Sequence, residues 1–93
     1  MKKQQYRITV EHRADADGKP VNSAPLQFDA PNHDDIFAIV DLIGSRHNLP
    51  PETAKRFAVG LKLMTEAMME NREYPLFAAR KPHVGDMMKI IKS

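Results

Sequence analysis

Cysteine and tryptophan are both absent from the 93 residues. Without a thiol there is no disulfide staple, no thiolate nucleophile, no redox switch and no thiolate-bound zinc or iron–sulfur cluster. Long apolar runs are missing too. The stretch around Phe37-Ala38-Ile39-Val40 falls far short of the roughly 20 residues needed to span a bilayer. The four glycines (18, 44, 60 and 85) are scattered, so no glycine-rich loop can cradle a phosphate. Ser23, Ser45 and Ser93 lack the strand–turn–helix context of a nucleophile elbow. Lys2 and Lys3 lead into Gln-Gln-Tyr-Arg-Ile-Thr-Val-Glu with no apolar core of a secretion signal. No lipidation signature is evident. The expected location is the cytoplasm, with no membrane association.

What is present is ordinary for a folded domain. Apolar residues make up 42% and charged residues 28% of a 10.6 kDa chain, which fits one domain over residues 1–93. Net charge is only +2, but it is unevenly spread. Residues 29–52 carry Asp29, Asp34, Asp35, Asp41 and Glu52 against Arg46, a net of −4. Residues 72–93 carry Arg72, Arg80, Lys81, Lys89 and Lys92 against Glu73 and Asp86, a net of +3. An acidic middle and a basic tail can attract within one fold or between subunits, or simply form two solvated faces.

Along the chain, Tyr6, Ile8 and Val10 alternate with Arg7, Thr9 and Glu11, the period-two pattern of a half-buried strand. Turn formers follow over residues 14–20, with Asp17-Gly18 the expected reversal. A second strand has Leu26 and Phe28 on one face, with Pro25 marking an edge. Asn32 reads as a helix N-cap. Ile36, Phe37, Ile39, Val40 and Ile43 recur at helical spacing through about His47. Pro51 and Glu52 suit the start of a second helix, in which Ala54, Phe57, Ala58, Leu61, Met64 and Met68 share a face to about Arg72. Pro75 interrupts, Leu76-Phe77 reads as a buried anchor, and Pro82 opens a last helix with Val84, Met87, Met88 and Ile91 on one side. The expected fold is α+β: an N-terminal β-hairpin followed by three α-helices packed on one face, in the order ββααα. A lone hairpin leaves two edges open, which makes pairing of two copies into a homodimer an expectation of equal standing with a monomer.

Several ordered motifs carry a resemblance: Arg7-Ile8-Thr9-Val10-Glu11, Pro25-Leu26-Gln27-Phe28, Asn32-His33-Asp34-Asp35-Ile36-Phe37, Ala58-Val59-Gly60-Leu61-Lys62-Leu63 and Glu70-Asn71-Arg72 with Pro75-Leu76-Phe77. Over nearly its whole length the chain resembles the bacterial domain-of-unknown-function family 3861 of small single-domain proteins. The resemblance implies a free-standing cytosolic protein and brings no activity, ligand or partner with it. Where it implies an aromatic residue near the end, this chain has Val84-Gly85-Asp86-Met87.

Among candidate sites, His33-Asp34-Asp35 looks most chemical. Consecutive helical residues project about 100° apart, so the three cannot converge on one ion, and no spacing singles out His12, His47 or His83 as a further ligand. Capping of a helix N-terminus accounts for the acids without chemistry. Arg72 has the planar fork to clamp an acidic partner, or else it meets a helix C-terminus or pairs with Asp34 or Asp35. Met64, Met68, Met87 and Met88 fall on apolar faces, whereas Met69 does not, and flexible thioethers suit adaptable binding surfaces. The helix pair at 33–47 and 51–72 is too long and too apolar for a DNA-recognition unit.

The leading expectation is a non-enzymatic interaction or accessory regulatory module acting as a homodimer, with a protein partner and neither cofactor, metal nor catalytic residue assigned. Its candidate contact residues are His33, Asp34, Asp35, Arg72 and Met69. The alternative is a small metal- or ligand-binding protein or enzyme using His33-Asp34-Asp35. A third reading, weak nucleic-acid binding through the basic C-terminal segment, lacks both a phosphate-tracking stripe and a stacking platform.

Overall fold

Alternation of apolar and polar residues gives the first two elements their pairing. In the computed structural model, which describes residues 2–93, β1 (Arg7–Val10) runs antiparallel to β2 (Leu26–Asp29). The register sets Ile8 against Phe28 and Val10 against Leu26. Directly opposed residues share a face, so these four form one apolar patch. The other face is polar: Arg7 Nε lies 3.5 Å from Asp29 and Gln27 donates to Thr9 at 3.3 Å. The reversal is pinned by Asp15, whose Oδ1 accepts from the amides of Asp17 and Lys19. Gly18 completes it at φ +83°, a backbone angle that a side chain disfavours.

The helices α1 (Ile36–Arg46) and α2 (Pro51–Glu70) pack against each other and are joined by a tight corner. The corner is a helix-stop motif in which Asn48 takes the left-handed conformation at φ 54° and Leu49 N–H returns to the Gly44 carbonyl at 3.0 Å, satisfying a free helix-end acceptor. Small residues set the approach of the two helices. Ala58 is fully buried, Ala54 nearly so, and a Cβ placed on Gly44 would sit 3.1 Å from the Ala54 Cβ. Around them Ile43, Leu61 and Ile91 are buried, with Ile39, Val40, Leu49, Met87 and Met88 packed against them.

Four helices are present where three are expected. Pro75 does not merely interrupt; it opens a single turn, α3 (Pro75–Ala78), before α4 (Lys81–Lys92). Its locked φ suits a first helical position. Leu76 is therefore 60% exposed and not an anchor. The α+β class and the order of hairpin then helices hold. At its far end α4 is tied to the corner of α1: Arg46 donates to the Lys92 carbonyl at 3.0 Å and His47 Nε2 to the Ile91 carbonyl. Cationic or donor side chains at a helix C-terminus satisfy its free acceptors in this way.

The apolar stripes are narrower than their sequence spacing implies. Phe37 lies outside the α1 core face and is 74% exposed, stacked on Tyr6 with centroids 6.3 Å apart. The Tyr6 hydroxyl accepts from Ile36 N–H and donates to the Asp34 carbonyl, so α1 holds the near end of the hairpin. The far end, with Val10 and Leu26, stays open at 52% and 62% exposure.

Candidate functional site

Two places gather chemistry-bearing side chains. The first lies where the segment between β2 and α1 crosses α2. Asn32 is the most buried polar residue: its side-chain amide donates to the Lys62 carbonyl and its Oδ1 accepts from Asp34 N–H. It is not the N-cap expected from sequence. That role belongs to Asp35, whose Oδ1 accepts from the amides of Phe37 and Ala38. Asn32 is three residues too early because the chain first pairs with Gln4 across an isolated bridge, which holds it extended.

His33 faces Glu66 on α2. The His33 amide donates to Glu66 Oε1 at 3.1 Å, and Nδ1 lies 3.0 Å from Oε1 and 2.8 Å from Oε2. A carboxylate only accepts, so this nitrogen carries the proton. Lys3 reaches in from the N-terminal segment, 3.2 Å from Glu66 Oε2 and 2.6 Å from Glu70. Glu66 Oε2 has these ionic neighbours but no aligned hydrogen bond. Burial pushes the Glu66 carboxyl up, and the side-chain and backbone hydrogen bonds of His33 and the Lys3 contact pull it down harder. The result is about 2, well below its usual 4.5. Next to this knot, Asp34 pairs with Lys62 at 2.7 Å.

The three residues of the His33-Asp34-Asp35 cluster therefore point to three different partners: Glu66, Lys62 and the α1 amides. Among the described residues no group of three metal-ligating side chains gathers. Sequence reasoning missed Glu66 and Lys3. The available signal was the Glu66–Glu70 pair, like charges at i,i+4 that weaken an isolated helix unless a cation arrives from elsewhere.

The second place is a groove of about 480 Å³ between α2, α3 and α4. Its apolar wall is Met68, Met69, Phe77, Val84 and Met88, and its charged lining residues are Lys62, Arg72, Lys81 and Lys92. No acidic residue lines it. Met69, 51% exposed, and Arg72 are thus brought together on one wall, with Arg72 Nε donating to the Met69 carbonyl at 3.2 Å. Arg72 does not pair with Asp34 or Asp35, because Lys62 already holds the one and α1 the other. The thioethers give the wall a surface that adapts to the shape laid against it.

The sequence profile of a domain of unknown function with a solved structure, DUF3861, matches residues 4–93. The chain belongs to this family. A crystal structure of a protein of unknown function from Pectobacterium atrosepticum is similar to it. The two are 34% identical, the match covers 98% of this chain and 99% of that one, and the TM-score is 0.76. No curated protein matches. DUF3861 thus agrees with the ordered motifs of the sequence and carries no activity with it. Among the described residues no helix is long and apolar enough to cross a membrane.

Proposed function

We propose that this DUF3861 protein is a cytoplasmic, non-enzymatic interaction module that works as a homodimer, with the apolar face of the hairpin as the contact between copies. One observation carries the reading: the apolar patch of Val10, Leu26 and Phe28 is 42–62% exposed, although an amphipathic two-stranded sheet needs a cover on that face to be stable. The surface area supports it. The chain exposes 7394 Å², against roughly 5,500 Å² for a folded monomer of this mass. Its radius of gyration is 15.5 Å, against about 12 Å for a compact chain of this length. The excess of about 1,900 Å² exceeds the roughly 800 Å² that each partner contributes to a standard interface. A second copy laying the same patch against the first forms a closed two-fold contact.

Native mass spectrometry tests this directly. The wild-type protein is expected at twice 10.6 kDa, and Leu26→Asp is expected at the single-chain mass with its helical circular dichroism retained. A single-chain mass for the wild type at every concentration overturns the reading. So does a dimer that survives both Leu26→Asp and Val10→Asp.

A further inference from the structure

The groove between α2 and α4 combines an apolar wall with charged residues of one sign. On the α2 side Lys62 precedes the methionines and Arg72 follows them; on the α4 side Lys81 precedes Val84 and Met88, and Lys92 follows. Each wall is therefore bracketed by cations about 15 Å apart along the helix, and no carboxylate lines the space between. Lys62 is already held by Asp34, but none of the ion pairs among the described residues involves Arg72, Lys81 or Lys92. Three cations without carboxylate partners beside an apolar wall favour an anionic occupant.

We propose that this groove binds an acidic amphipathic helix of a partner protein, whose apolar stripe enters between Met69 and Met88 while acidic residues at both of its ends meet Arg72, Lys81 and Lys92. A single-headed anion, such as a fatty acid, satisfies cations at one end only, whereas a helix of about three turns matches the span with charges along its length. Gly85 supports the shape. It sits inside α4 and lines the groove, and a Cβ placed there meets nothing within 4 Å. As at Gly60 in α2, no packing within the chain accounts for this glycine, which is unfavourable in a helix; at Gly85 it leaves room for the close approach of a second backbone. The inference rests on the reading of the protein as an interaction module and adds the chemistry of what it binds.

The probe is a synthetic three-turn helical peptide with leucines at i, i+3 or i+4, and i+7, and glutamates on the flanks. Two controls replace every glutamate, one with glutamine and one with lysine. Binding to the full-length, isotope-labelled protein is read from amide shifts, with native mass spectrometry on the same sample. The acidic peptide is expected to move Met69, Val84 and Met88, with an affinity that falls as salt rises. The double variant Lys81→Glu/Lys92→Glu is expected to weaken it about tenfold or more. Gly85→Leu, which fills the groove and favours the helix, is expected to do the same without touching a charge. Equal binding of the glutamine or lysine peptide overturns the acidic partner while leaving an interaction surface. Absence of groove shifts with all three peptides overturns the site itself, and the mass measurement then decides separately whether the homodimer stands. Tighter binding of dodecanoate to the same amides overturns the helix in favour of a lipid. Groove shifts that depend on protein concentration alone overturn it in favour of a second copy.

Discussion

Replacing Glu66 with glutamine tests the ionic knot that ties three distant parts of the chain together. The carboxylate is 7% exposed and sits at about 2 against an ordinary 4.5. At about 1.4 kcal/mol per pH unit, that difference makes the charged form worth about 3 kcal/mol to the folded state. Glutamine keeps an oxygen for the His33 amide but loses the charge that accepts from the His33 ring and pairs with Lys3, so the expected cost at neutral pH is about 2–3 kcal/mol. For a chain of this size that lowers the melting temperature by roughly 10–20 °C. The pH dependence has a definite sign. The folded pKa is depressed, so the stabilisation is fully present above about 4.5 and is lost as pH falls through about 2. Urea titrations of wild type and Glu66→Gln at fixed protein concentration, stepped from neutral pH down to pH 2, should show a gap that closes across that window. Other carboxylates titrate in both proteins and cancel in the difference. A gap that is negligible at neutral pH, or that persists undiminished at pH 2, refutes the reasoning.

Two further substitutions probe the supports of the same structure. Asn32→Ala should cost about 2 kcal/mol in chemical denaturation, since it removes a buried side chain that bonds the Asp34 amide and the Lys62 carbonyl; a change within a few tenths of wild type would show that water replaces the side chain. Gly44→Val places bulk where even a Cβ would lie 3.1 Å from the Ala54 Cβ, and forcing α1 and α2 apart should cost about 1–3 kcal/mol, so an unchanged melting temperature would count against that close approach.

The parts of this fold that could be read from sequence are those governed by local periodicity. Tyr6, Ile8 and Val10 announced a strand, Asp17-Gly18 its reversal, and Ile39, Val40 and Ile43 the inner face of α1. Each signal is carried within a few residues of itself. Burial width is different, because it depends on what lies opposite. Phe37 and Met64 belong to apolar stripes in one dimension, yet lie 74% and 41% exposed, so the packing covers only part of each stripe. Asn32 shows the same limit: its composition suits a cap, but pairing with Gln4 moves the helix start to Asp35. At the sites, Met69 stood out as a methionine off its helix's apolar face, and it lines the groove at 51% exposure. Glu66 was marked only by its like-charge spacing to Glu70, which does not name its partners, since Lys3 and His33 are 63 and 33 residues away.

Those separations bear on the order in which the molecule assembles. The α1–α2 pair needs only the short corner through Asn48 to meet, and small loops close at little entropic cost. The knot needs more, because its contacts join Glu66 within α2 to His33 just ahead of α1 and to Lys3 ahead of the hairpin. We expect the contacts that reach back to residue 3 to be weakly formed in the folding transition state, with the α1–α2 pair already in place. Their strength then sets how long a folded molecule survives more than how quickly one forms, and the difference is read in the unfolding arm of a stopped-flow experiment.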